Sequence, residues 1–110
     1  MRALYLVTYD AGAVRDLEGL KSREERKATF TAVDKLAALG PKLVPPHTKS
    51  LKGEPGLYEL RPRAGKSQAR PIYRRTGDDY VILAVAIAAD KADFDAAVAN
   101  ARARSSNYDA

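Results

Sequence analysis

The sequence predicts an α+β domain: an antiparallel sheet of about four strands, with helices packed on one face. Three observations predict it. Residues 56 to 75 read as two strand arms folded back over a polar connector, residues 80 to 88 as an apolar strand, and residues 22 to 39 as a helix with both ends signalled. The order along the chain is strand, two helices, three strands and a helix, with no internal repeat or low-complexity tract. At 110 residues the chain is expected to form one domain, 1–110, around a single modest core.

The first strand comes from residues 2 to 9, where Leu4, Leu6 and Thr8 alternate with Ala3, Tyr5, Val7 and Tyr9. Both sides are largely apolar, which predicts a strand covered on both faces. Asp10 and the Ala-Gly after it break the strand, and Val14, Leu17 and Leu20 then recur every third residue as a short amphipathic helix. Ser22 and Glu25 match a capping box: the Ser22 hydroxyl accepts from the Glu25 amide while the Glu25 side chain reaches back. The helix that follows is expected to bury Phe30, Val33, Leu36 and Ala37, with charges opposite. Gly40 and Pro41 stop it, one as a left-handed cap and the other as a residue unable to continue. Pro41 to Pro55 holds four prolines and is expected to be irregular and semi-rigid.

In the first arm of the hairpin Tyr58 and Leu60 share one face, with Glu59, Arg61 and Arg63 on the other. In the second arm Ile72 sits among Arg70, Tyr73, Arg74 and Arg75, and Ala-Gly-Lys-Ser-Gln connects the two. Folding the arms together brings Arg61, Arg63 and Arg70 near one another, a prospective phosphate-binding surface. Thr76-Gly-Asp-Asp turns the chain into Tyr80 to Ala88, apolar on both faces as a central strand is. Asp90 to Ala103 reads as a terminal helix with Phe94, Ala97, Val98 and Ala101 at helical spacing, and Ser105 to Ala110 is expected to fray.

The absence of cysteine excludes disulfides and thiolate metal sites and suits a reducing interior. The opening apolar run is too short for a signal peptide, and no segment approaches the roughly 18 apolar residues of a membrane span. The expectation is a soluble cytoplasmic protein with no membrane partner. The net charge of +5 is concentrated. Lys49, Lys52, Arg61, Arg63, Lys66, Arg70, Arg74 and Arg75 against Glu54 and Glu59 give +6 between residues 49 and 75, so the rest of the chain sums to −1. A basic block on a neutral body is the footprint of a polyanion ligand. The alternative is a solvated basic face with no partner.

Leu36 to Gly40, Leu51, Gly-Leu-Tyr-Glu-Leu-Arg at 56 to 61, the Arg70 to Tyr73 strand and the apolar run at 81 to 87 resemble the RelE/ParE superfamily of toxins. The resemblance is closest to the phage-associated HigB-like branch and spans about residues 3 to 105. It implies a microbial-ribonuclease-like sheet with two N-terminal helices and a C-terminal helix. It also implies the toxin of a type II toxin–antitoxin system: an endoribonuclease that cuts mRNA on the translating ribosome, needs no metal or cofactor, and is held inactive by a cognate antitoxin. In the HigB branch that antitoxin is often a helix-turn-helix, HigA-like protein. The related ParE group shares the fold and inhibits gyrase instead.

Metal-free RNA cleavage needs a base for the 2′-hydroxyl, cations for the charge growing on phosphorus, and an acid for the leaving oxygen. By resemblance, Arg61 and Arg70 match the strand arginines that hold the scissile phosphate, a task that suits a permanently charged, two-pronged guanidinium. The alternative for Arg61 is an internal ion pair. Tyr73 is a candidate proton donor if neighbouring arginines lower its pKa, or else a core residue. Tyr58 is expected in the core beside Leu60. His47, the only histidine, titrates near neutrality without help and lies where some HigB-type toxins carry a functional histidine, or else is an ordinary surface residue. Lys49, Lys52, Arg63, Lys66, Arg74, Arg75 and Lys91 make up the expected RNA-binding set.

The chain departs from the resemblance after its last strand. The family usually carries basic residues and then a Tyr or His there, whereas Ala86 to Phe94 offers Lys91 as its sole cation. Either the catalytic set is rebuilt around His47, Tyr73 and the arginines, or the chain keeps the binding surface without cutting. Two functions therefore stay open: a ribosome-dependent endoribonuclease, and a non-catalytic or gyrase-inhibiting relative that binds antitoxin, RNA or another target.

Overall fold

The structure, a computed structural model, describes residues 4–88 and 90–108. Along the chain run β1 (Val7–Tyr9), α1 (Ala11–Leu17), α2 (Arg23–Leu39), β2 (Thr48–Ser50), β3 (Tyr58–Leu60), β4 (Arg70–Thr76), β5 (Asp79–Ala86) and α3 (Lys91–Ser105). The strands form one sheet in the order β1-β5-β4-β3-β2. Its pairs are antiparallel except β1 with β5, which run parallel. The α+β class and the strand-helix-helix order match the sequence reading. The sheet has five strands rather than about four, because Thr48–Ser50 pairs with Tyr58–Leu60 inside the segment expected to be irregular.

The helices cover both faces of the sheet, not one. α1 and α2 close one side, where Leu20, Val33 and Leu36 meet Leu60, Tyr73, Tyr80 and Ile82. α3 closes the other with Ala97 and Ala101 against Ile72, Val81, Leu83 and Ala84. β5 demands this, since it is apolar on both faces and buried from Tyr80 to Ala86. The parallel β1 is an edge strand. Tyr5, Val7 and Tyr9 pack towards the core while Leu4 is 72% exposed and Leu6 is also exposed, so only one side of the expected strand is covered. Arg2 and Ala3 lie outside the described residues.

α2 is rotated relative to its expected stripe. Thr29, Ala32, Val33 and Leu36 are buried and Phe30 is exposed. Thr29 tolerates burial because its hydroxyl donates to the Glu25 carbonyl at 2.8 Å. Val14 on α1 is likewise exposed, with Ala13 buried in its place, while Leu20 just beyond the helix is buried as expected. Ser22 caps α2 as expected, its oxygen accepting from the Glu25 amide at 3.2 Å. The Glu25 carboxylate, however, is spent elsewhere, on the amides of Gln68 and Ala69. Gly40 ends the helix at φ 51°, and a Cβ there would come within 2.4 Å of the Tyr5 ring. Only glycine serves at that turn.

β5 carries a bulge opposite Ile72 and Tyr73, which pair with Ala84 and Ile82 and leave Leu83 between them. The backbone freed there is claimed by side chains. The Leu83 carbonyl accepts from Arg104 Nη1 at 2.9 Å, and the Val85 amide donates to Asp16 Oδ2 at 3.0 Å. Arg104 and Asp16 also pair with each other at 3.1 Å. Asp10 joins this clip and accepts from the Tyr108 hydroxyl at 2.9 Å. The chain is thus tied down through Tyr108, past the Ser105 where fraying was expected; residues 109 and 110 lie outside the described residues. No helix among the described residues is long and apolar enough to cross a membrane.

Candidate nucleic-acid interface

The strand alternation in β3 places Tyr58 and Leu60 towards α2 and Glu59 towards α3, opposite Ile72. Arg61 then begins a tight 3₁₀ turn, Pro62–Gly65, in which Arg63 and Ala64 take left-handed φ values of 55° and 56°. Two successive non-glycine residues in that region are strained and persist only where the surroundings hold them. Here the holding is extensive. Arg70 donates to the carbonyls of Gly65 at 2.8 Å, Ala69 at 2.9 Å and Ser67. Glu25 accepts the next two loop amides and faces Arg63 at 4.0 Å.

Glu59 sits between the two key arginines. Its Oε1 lies 3.9 Å from both Arg61 Nη1 and Arg70 Nε, and the residue is only 8% exposed. The two guanidiniums therefore converge, on the same side, around one carboxylate. At 3.9 Å these are ion pairs without hydrogen bonds. Burial pushes the Arg70 pKa down, with Glu59 pulling it back up and Arg61 adding to the fall. A guanidinium stays charged regardless. Arg70 is committed to the loop carbonyls, whereas Arg61 has its Nε buried with no hydrogen-bond partner.

Arg61 also lines a cavity of about 500 Å³ between α2 and the 3₁₀ turn. His47, half-buried, shares it, and its carbonyl accepts from the Arg61 amide at 2.9 Å. Arg63 stands at the rim with Lys27 and Lys35 of α2 opposite, and Glu24 is the one acid among the described residues there. Sequence reasoning missed Lys27 and Lys35, whose spacing with Thr31 repeats every four residues; that period was a usable signal, read only as a solvated face.

The remaining expected residues divide. Lys49 and Lys52 line a somewhat smaller groove, about 410 Å³, on the α3 side with Glu59. Lys66 is exposed on the loop. Arg74 and Arg75 lie four and five residues along β4 from Arg70, which puts them roughly 13 Å or more away. Arg74 donates to the Ser105 carbonyl and hydroxyl, and Arg75 to the Gly77 carbonyl while lying 6.0 Å from the Tyr80 ring centre. Lys91 pairs with Asp95 at 2.7 Å. These three cations are engaged locally and do not join the cluster.

The tyrosines correct two expectations. Tyr73 is 4% exposed, and its hydroxyl shares a 2.7 Å hydrogen bond with Thr48 Oγ1. Burial pushes its pKa up to about 12, the opposite of the lowering its proton-donor role requires, so it is a core residue. Tyr58 is not core: it is 38% exposed and stacks on Tyr73 with ring centres 5.5 Å apart.

The family described as phage-derived protein Gp49-like (DUF891) matches residues 15–100. No curated protein matches the chain. Among solved structures, a doubly substituted E. coli toxin RelE in the free state is 19% identical with a TM-score of 0.63, covering 89% of this chain and 97% of its own. The Mycobacterium tuberculosis toxin–antitoxin complex RelBE2 is 26% identical with a TM-score of 0.52, covering 82% of this chain and 98% of its own. The same E. coli RelE mutant bound to an antitoxin RelB peptide is 19% identical with a TM-score of 0.56, covering 84% and 90%.

Proposed function

Because the chain belongs to the Gp49-like family of phage-derived proteins and folds as the RelE toxins do, we propose that it is the toxin of a toxin–antitoxin pair and a metal-independent endoribonuclease acting on mRNA at the ribosome. The observation that carries this reading is that Arg61, with an unsatisfied buried Nε, and His47, the only histidine, line one cavity. The reaction is attack of the ribose 2′-oxygen on the adjacent phosphorus, with the bond to the 5′-oxygen breaking. It leaves a 2′,3′-cyclic phosphate and a free 5′-hydroxyl. Arg61 meets the phosphate and takes the charge that develops on it. Arg70 is a positioning residue: it holds the carbonyls of Gly65, Ser67 and Ala69 and adds positive field from behind. Glu59 keeps the two guanidiniums aimed together until a phosphate arrives. His47, the one histidine of the sequence and a neighbour of Arg61 in the cavity, moves the proton. Lys49, Lys52 and Lys66 take flanking phosphates without sequence preference.

The M. tuberculosis relative is solved with its antitoxin. We expect this chain likewise to act in the cytoplasm and to be silenced by a cognate antitoxin, a helix-turn-helix protein in the HigA manner. A second reading has its own support. With Tyr73 buried, Lys91 paired to Asp95 and Arg70 committed to the loop, proton transfer rests on His47 alone. That arrangement also fits a relative that binds antitoxin, RNA or gyrase without cutting.

The deciding experiment maps transcript ends on translating ribosomes after induction. Cyclic-phosphate ends that vanish with Arg61→Ala and with His47→Ala support the nuclease. Growth arrest beside intact transcripts refutes it and leaves the second reading.

A further inference from the structure

We infer that the cavity walled by α2 is a nucleoside-phosphate site, with Lys27 and Lys35 as the residues that grip the phosphate. The inference rests on the nuclease reading only for where the nucleotide comes from, not for the chemistry of the site. At about 500 Å³ the cavity falls within the range of small-ligand sites, about 300–1,000 Å³. Its floor is apolar: Ala32, Leu43 and Pro62 are buried, and Ala28 lies beside them. Its rim is cationic on both sides, Lys27 and Lys35 facing Arg61 and Arg63. An aromatic base with a phosphate attached matches this division of surface: a flat apolar face for the floor and an anion for the rim.

Two further features belong to the same wall. The Arg61 Nε is buried without a partner, and the turn that carries Arg63 is held in strained left-handed geometry. Strain of this kind collects where a ligand is clamped. The groove on the α3 side differs. There Lys49 and Lys52 sit beside Glu54, Glu59 and Asp95, so its acids offset its cations. Among the described residues the α2 cavity holds one acid, Glu24, against its two lysines and two arginines.

The occupant comes either as a free mononucleotide or as one unit of an RNA strand, and the test separates these. Guanosine and adenosine 5′-monophosphates, and a single-stranded RNA hexamer, are titrated into the full chain while backbone amide shifts are followed by NMR. The inference expects shifts confined to residues 24–35, 43–47 and 61–63. The Lys27→Glu/Lys35→Glu variant should bind at least about tenfold more weakly, the equivalent of losing one charge-assisted hydrogen bond. The charge-matched control Arg15→Glu/Lys21→Glu should bind as the unaltered chain does. Thr31→Trp, at an exposed position, plugs the cavity without changing charge and should weaken binding as well.

If the mononucleotides bind as tightly per phosphate as the hexamer, the source is free nucleotide; if only the hexamer binds, it is the strand. Either result supports the site. Shifts confined to the Lys49 and Lys52 groove, equal weakening by the control, or no binding at millimolar concentration would overturn it. Failure of the nuclease reading is visible separately. Binding without transcript cleavage leaves the site standing, whereas cleavage with no nucleotide binding, or with binding indifferent to the Lys27/Lys35 variant, removes the site and leaves the nuclease.

Discussion

Two arginine-centred corners of this molecule solve opposite problems. Around Arg104 everything closes: its Nη1 reaches the Leu83 carbonyl and Asp16, Asp10 stands by, and Tyr108 completes the set. Around Arg61 the arrangement stays open. Its Nε has no partner, Glu59 stands at ion-pair distance without a hydrogen bond, and the adjoining turn is strained. Buried polar groups that are fully satisfied stabilise a fold, and the one left wanting here belongs to the arginine proposed to meet the phosphate. The same residue type, at similar burial, has its hydrogen bonds made in one corner and its Nε unsatisfied in the other.

The sharpest way to test that contrast is Arg61→Ala. We expect transcript cleavage to fall about 10²–10³-fold, the scale for losing one preorganised donor to a developing oxyanion, with thermal stability nearly unchanged. A matching loss of melting temperature would erase the distinction. Arg104→Ala should do the reverse. It leaves Asp16 partly buried without its cation and the Leu83 carbonyl without its donor, at a cost of about 2–4 kcal/mol. Calorimetry should show a fall of roughly 10 °C or more.

Tyr73 offers a third test, between the two corners. Burial raises its pKa from 10.0 to about 12, so the folded chain holds the phenolic proton after the unfolded chain has released it. This contribution is therefore intact below about pH 10 and disappears as pH rises through about 12, amounting to roughly 2–3 kcal/mol. Chemical denaturation at stepped alkaline pH should show the decline, and Tyr73→Phe should flatten it. The smallest effect belongs to Arg102 and Glu54, an exposed pair at 2.9 Å. Their hydrogen bond lowers the Glu54 pKa and raises that of Arg102. Solvent screens such pairs, so Arg102→Gln should leave the melting temperature within error, more plainly so at high salt.

What the sequence revealed was whatever local pattern encodes. The Ser22 cap, the Gly40 stop, the paired arms around residues 58–60 and 70–76, the apolar β5 and the α3 stripe all depend on neighbours within a few residues. So did the family resemblance, carried by Gly-Leu-Tyr-Glu-Leu-Arg. What stayed hidden depends on distant partners. Thr48-Lys49-Ser50 has no apolar run to announce a strand and becomes one only beside β3. Glu25 reads as half of a capping box until the 68–69 amides arrive to claim it. Tyr58 and Tyr73 look alike in the hairpin, yet Thr48 takes the hydroxyl of one and water meets the ring of the other. At the candidate site, clustering suggested Arg61 and Arg70 together but could not say that Arg70 is bound to the loop and Arg61 is not.

The clip at the Leu83 bulge bears on how the chain assembles. It joins Asp16 to Arg104, 88 positions apart, and Asp10 to Tyr108, 98 apart, while β1 must find β5 across the whole interval between them. Closing spans of that size is slow, because loop entropy is lost before any contact repays it. The bulge is therefore sealed only once Asp16 and Arg104 have been brought together across that span.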